Sequence, residues 1–171
     1  MNAVLPERLA AFVERDRVAV EVLTTGEAAH TAEDAARILG LPVAAIVKTM
    51  VLTDGRRAVA AIVPGDRRLD RRKVAAAAGM PALRFATADQ VLEFTGYPPG
   101  GVAPFAFSGA VTVVIDASLA SDVDREVVAG GGRPELLLRV AVGDLIRHAG
   151  AVVAPIMRDD DPHAAPRLTP A

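Results

Sequence analysis

Leu5, Leu9, Phe12 and Val13 recur at helical spacing, so the opening segment predicts an amphipathic helix. Val18 to Leu23 follows with period-two character and β-branched residues, the pattern of a half-buried strand. Thr31 with Asp34 has the spacing of a capping box and predicts a helix that stops at Gly40, before Pro42. Two apolar runs, Ala44–Leu52 and Ala58–Val63, flank Asp54-Gly55 and predict a β-hairpin. Both runs are apolar on both faces, which places the hairpin centrally. Asp70 opens a short helix through Gly79, and Thr87 with Gln90 opens another that stops at Gly96. A Pro/Gly loop, Tyr97 to Pro104, separates these helices from three predicted strands, Val111–Ile115, Glu126–Val128 and Leu136–Val140. Val142, Leu145, Ile146 and Ala149 predict a last helix, with a closing strand at Val152-Val153.

Strands that do not alternate one-for-one with helices, together with an early hairpin, point to an α+β fold. The expected architecture is a mixed, largely antiparallel, barrel-like sheet with surrounding helices. No Gly-x-Gly-x-x-Gly turn follows the first strand, so a dinucleotide-binding fold is a poor reading. At 171 residues the chain has the length of one domain, expected over residues 1–157, with 158–171 as a charged, Pro-rich flexible tail.

Composition narrows the chemistry. Of 19 basic residues only Lys48 and Lys73 are lysine, so a lysine kept where arginine is the habit invites inspection. The absence of cysteine excludes thiolate catalysis and iron–sulfur ligation, and three dispersed histidines argue against a metal site. No cofactor is expected. No apolar run approaches the roughly 18–20 residues of a membrane span, and no signal-peptide pattern opens the chain. The expectation is a soluble, cytoplasmic protein without membrane contact.

Lys48 is the first candidate for chemistry. It lies within a run that should form a core strand, and an unpaired buried ammonium is costly. Such a lysine reaches a partner, reaches water along its packed stem, or serves a Schiff-base or phosphate-contacting function. The Gly100-Gly101-Val102-Ala103-Pro104 loop is the second, because adjacent glycines let a backbone approach a ligand closely. Asp116 at a strand end can accept hydrogen bonds or cap a turn, and His30 before a helix is a candidate polar pocket residue. Arg67, Arg68, Arg71, Arg72 and Lys73 form a basic cluster that reads either as a solvated face or as a grip on a phosphate backbone.

Taken in order, these segments resemble the YbaK family, the prolyl-tRNA-synthetase-associated editing domain. The first half rests on Ile46–Leu52, on Val63-Pro64-Gly65-Asp66 with Leu69-Asp70, and on Lys73-Val74-Ala75. Its second half rests on Thr95-Gly96-Tyr97, Gly100–Phe105, Val114-Ile115-Asp116 and Ala129-Gly130-Gly131-Gly132-Arg133. The resemblance runs from about Leu5 to Ile156. It implies a free-standing, trans-editing aminoacyl-tRNA deacylase that hydrolyses the ester of a mischarged tRNA, usually tRNA(Pro), with prolyl-tRNA synthetase as a partner in trans.

In that reading Lys48, Gly100 and Gly101 are catalytic. His30, Thr49, Pro104, Asp116, Gly130, Gly131 and Arg133 surround the substrate, and Arg67, Arg68, Arg71, Arg72 and Lys73 meet the tRNA. Leu23 and Thr25 stand where cysteine-specific members tend to carry His and Tyr, and Ala129 where some have Ser. Thr49 stands where alanine-specific members have Asn, so neither specificity is implied. Two other readings stay open: a non-catalytic tRNA- or synthetase-binding module of the same fold, and a small-molecule hydrolase or Schiff-base enzyme built on Lys48.

Overall fold

The computed structural model describes residues 4–161. Helix α1 (Glu7–Arg15) precedes β1 (Val20–Thr24), and α2 (Ala32–Leu39) starts at the expected capping box. There Thr31 Oγ1 accepts from Asp34 N–H at 3.0 Å while the Asp34 carboxylate accepts from Thr31 N–H at 3.3 Å. This reciprocal pairing satisfies donors that a helix start otherwise leaves open, so the local sequence sets where α2 begins. The predicted hairpin is β2 (Val47–Thr53) with β3 (Ala58–Pro64), in register from Val47↔Pro64 to Thr53↔Ala58. Its turn is held by Asp54 Oδ1, which accepts from the N–H groups of Arg56 and Arg57 at 2.9 and 2.8 Å.

Then come α3 (Arg71–Ala78), β4 (Arg84–Phe85), α4 (Ala88–Thr95), β5 (Val111–Asp116), β6 (Glu126–Gly130), β7 (Leu136–Ala141), α5 (Val142–Ala149) and β8 (Val152–Ala154). The short exposed β4 has no counterpart among the predicted elements. Among the described residues no helix is long and apolar enough to cross a membrane.

The strands form two sheets rather than a closed barrel, which corrects the barrel-like expectation. One is three-stranded, in the order β1-β7-β6, and antiparallel; the other is five-stranded, in the order β4-β2-β3-β5-β8. In the larger sheet β5 runs parallel to β3, and β8 parallel to β5, because the chain crosses over through helices between them. Every residue of β3 is buried, as its double-sided apolar pattern requires. Val47, Ala60 and Ile62 face a core shared with the second sheet, α1 and α5. Leu52, Val59, Ala61 and Val63 face a second core under α3, and a third lies between α2 and the smaller sheet. A parallel bridge, Ile46↔Val128, links the two sheets just before β2.

Residues 158–161, the first part of the segment expected to be a loose tail, pack against the body. Arg158 N–H donates to Arg68 O at 2.8 Å, and Leu69 bridges Met157. His163 and the rest of that segment lie outside the described residues.

Candidate functional site

A cavity of about 320 Å³ opens where the two sheets diverge. Strand β4 covers β2 only at Leu52 and Thr53, so the Lys48–Met50 stretch has no ladder partner on that edge. The cavity wraps around this open edge. Lys48 and Thr49 come from β2, His30 and Glu33 from the start of α2, Gly100 and Val102 from the Pro/Gly loop, and Gly130 and Leu137 from the smaller sheet. Among the described residues Lys48 Nζ has no hydrogen-bond or ion-pair partner, and its side chain is only half-buried. Thr49 Oγ1 is buried without a partner. The remaining wall is largely apolar, from Ala29, Ala35, Ile46 and Val47.

The loop forming the third wall is held at many points. Tyr97 is 1% exposed, and its hydroxyl donates to the carbonyl oxygens of Phe105 and Ala106 at 2.8 and 3.0 Å. Burial pushes its phenol up to about 12. From α1, Arg8 donates to Ala106 O and Thr95 O at 2.8 and 3.0 Å, with its guanidinium 5.0 Å from the Tyr97 ring centre. Gly100, at φ +82°, lies where an added Cβ would stand 3.0 Å from His30 Nδ1.

Two glycine-rich segments then pack backbone against backbone. A Cβ on Gly130 would stand 2.9 Å from the Val102 carbonyl carbon and closer still to its oxygen. A Cβ on Gly101 would stand 2.8 Å from Arg133 Cα. Glycine here serves close approach: no side chain fits between the loop and the β6–β7 turn.

The structure therefore gathers His30, Lys48, Thr49, Gly100 and Gly130 around one cavity. Gly101, Pro104 and Gly131 do not line it, and Arg133 faces a different surface hollow with Arg8 and Tyr97. Asp116 departs from the expectation of a pocket residue. It is 1% exposed and accepts from Ser118 N–H at 2.9 Å and Ile156 N–H at 2.8 Å, so its carboxylate is spent on holding β5 to the chain after β8.

The basic cluster also divides. Arg67 and Arg68 line a second cavity that shares Lys48 and Glu33 with the first. Arg71 and Arg72 border another hollow, on α3, and Lys73 Nζ is engaged by Met157 O at 2.9 Å and Asp159 at 2.7 Å. Sequence reasoning missed Glu33, Met50 and Leu137 as wall residues. Glu33 could have been found, since it follows a predicted helix start; Leu137 carries no local signal.

The profile of the aminoacyl-tRNA editing domain family matches residues 26–148. A proline–tRNA ligase from Nitratidesulfovibrio vulgaris is 38% identical over 119 residues, covering 70% of this chain and 20% of the relative. The chain thus spans about a fifth of the length of that relative. Among solved structures, the hypothetical protein APE2540 superposes with a TM-score of 0.80 at 34% identity, covering 89% of this chain and 100% of that one. A proposed trans-editing enzyme for prolyl tRNA synthetase superposes with a TM-score of 0.76 at 32% identity, covering 91% and 99%.

Proposed function

The chain belongs to the aminoacyl-tRNA editing domain family, and from that premise we propose that it is an aminoacyl-tRNA deacylase acting in trans on a mischarged tRNA, with tRNA(Pro) as the carrier. The observation that carries this reading is the Lys48 ammonium, without a partner among the described residues, on the wall of a cavity that Gly100 and Val102 also line. An aminoacyl ester is already activated, so hydrolysis requires a positioned water, charge stabilisation at the developing oxyanion, and little else. Lys48 supplies the fixed positive charge. The amide dipoles of the Gly100–Val102 segment orient the ester and the attacking water, and the clamps from Tyr97 and Arg8 spare them reorganisation during the reaction.

The cavity volume corresponds to the liquid share of about ten waters, room for an aminoacyl group with a water beside it. Its Ala29, Ala35, Ile46 and Leu137 surfaces favour a small side chain, and Thr49, His30, Thr31 and Glu33 are among the polar groups beside it. Discrimination among small side chains is worth only about 1–3 kcal/mol per methylene, so the identity of the cleared amino acid is decided by assay.

The test is deacylation of tRNA(Pro) charged with Cys, Ala, Ser or Thr, by the wild-type protein and by Lys48→Ala. Clearance of at least one species, reduced on the order of a hundredfold or more in a folded Lys48→Ala protein, is the expected result. If folded wild-type protein clears none of them, the deacylase reading falls and a tRNA- or synthetase-binding module takes its place.

A further inference from the structure

Among the described residues Phe85 is the one exposed aromatic side chain, at 46% exposure. It belongs to the short β4, which pairs Phe85 with Leu52 and Arg84 with Thr53. Residues directly opposite in an antiparallel pair share a face of the sheet, so Phe85 stands on the α3 side, with Leu52. Arg84 takes the other face, where it donates to Gln90 Oε1 at 2.9 Å.

This position is tied to the cavity. Met50, two residues before Leu52, shares the α3 face and also lines the cavity around Lys48. Two residues of strand rise and one inter-strand spacing put the Phe85 backbone about 8 Å from that of Met50. Of the two β4 residues, Phe85 is the one nearer the open stretch of the β2 edge.

The surroundings of the ring are cationic. Arg71, at the start of α3, holds its guanidinium carbon over the ring, 6.0 Å from its centre. Arg72 borders the same hollow as Arg71 and Leu83, and both arginines are exposed. The neighbouring Asp70 carboxylate is turned to the N–H groups of Arg72 and Lys73, at 2.8 and 3.4 Å. A bare phenyl face beside guanidinium groups suits an unpaired nucleobase on a phosphate strand, whereas an acidic protein surface would use the arginines and gain little from the ring. Two stacking contacts of about 3.5–4.0 Å need about 7–8 Å between ring and guanidinium, so Arg71 admits a flat base by swinging outward about 1–2 Å.

We propose that Phe85, under Arg71 and beside Arg72, is a stacking platform for one unpaired base of the RNA strand whose terminal ester enters the cavity. At 3.4 Å per stacked nucleotide, the distance from Met50 corresponds to about two or three nucleotides before the end. The inference rests on the deacylase reading for its choice of ligand and assigns a residue to holding the strand outside the reacting centre. Stacking is tolerant of base identity, so the platform fixes how far the strand reaches in and leaves the choice of tRNA to other contacts.

The test uses the full chain and an uncharged, 5′-labelled RNA hairpin with a single-stranded 3′ end in CCA, with binding read by anisotropy and folding by thermal melting. Phe85→Ala weakens binding on the order of tenfold, Phe85→Trp restores it, and Phe85→Leu, apolar without a ring, does not. An abasic nucleotide two or three places before the 3′ end weakens binding to wild type by a similar factor and has no further effect on Phe85→Ala. Arg71→Gln weakens binding and lowers its salt slope by about 0.7.

The proposal is overturned if folded Phe85→Ala binds within about twofold of wild type, if Phe85→Leu restores binding as well as Phe85→Trp, or if every abasic position adds to the Phe85→Ala loss. It is also overturned if Arg71→Gln leaves affinity and salt slope unchanged. RNA binding indifferent to Phe85 would give this face to an acidic protein partner instead. Deacylation is not read in this assay, so the two readings fail separately. Phe85-dependent RNA binding without ester cleavage sinks the deacylase alone, whereas ester cleavage with Phe85-independent binding sinks the platform alone.

Discussion

Replacing Gly130 with Ala tests whether the cavity depends on the close approach of two backbones. The added Cβ would stand 2.9 Å from the Val102 carbonyl carbon, against about 3.5–4.0 Å for an unstrained carbon pair. Either β6 or the Gly100–Val102 segment must therefore retreat by about 1 Å. The loop is the softer partner only at this point, since Tyr97 and Arg8 fix its far end. Overpacking of this kind costs about 1–3 kcal/mol, which lowers the melting temperature of a domain this size by about 2–12 °C.

Its effect on turnover is larger than on stability. A misplacement of about 1 Å at orienting groups costs on the order of a hundredfold in rate. The assay is single-turnover deacylation beside thermal melting. A matched control is Leu83→Ala, in the core under α3 on the other face of the larger sheet, which costs about 2–5 kcal/mol and leaves turnover intact below its melting temperature. Gly130→Ala turnover within about threefold of wild type, in a folded protein, would refute the argument that this backbone contact sets the loop.

Tyr97 is the one tyrosine in a chain without tryptophan, so its phenolate absorbance is read without interference. It should titrate near pH 12 in the folded protein and near 10 when unfolded. Because the folded value is the higher, its contribution of about 2–3 kcal/mol is fully present below pH 10 and is lost as pH rises towards 12. Ionisation near 10 in protein still folded by circular dichroism would contradict the burial argument. Asp116→Ala leaves the N–H groups of Ser118 and Ile156 without their acceptor and should cost about 2–4 kcal/mol, a drop in melting temperature of about 5–15 °C. A melting point within about 2 °C of wild type would show that the carboxylate is not holding β5 to the chain beyond β8.

What the sequence determined by itself was local. Thr31 with Asp34, Thr87 with Gln90, and Asp70 announced three helix starts, because a cap is made with residues two or three positions away. Apolar runs on both sides of Asp54-Gly55 announced the hairpin and its central place, since a strand apolar on both faces must be covered on both. Lys48 was legible as a candidate for the same reason: a cation in such a run demands an explanation, and it lines the cavity.

Only the tertiary structure decided the rest. The parallel pairing of β5 with β3, and the opening of the strands into two sheets, depend on which segments meet after long crossovers. Nothing in Val111–Ile115 encodes its neighbour. Asp116 looks alike in sequence whether it faces a pocket or caps a distant amide, and only the arrival of Ile156 assigns it. Gly130 became meaningful through Val102, and Arg67 is paired by Asp161, partners far away along the chain. Short-range hydrogen bonds and periodicity are written in neighbouring residues; close approach, shared cavities and the pairing of buried charges arise only when remote segments share the same space.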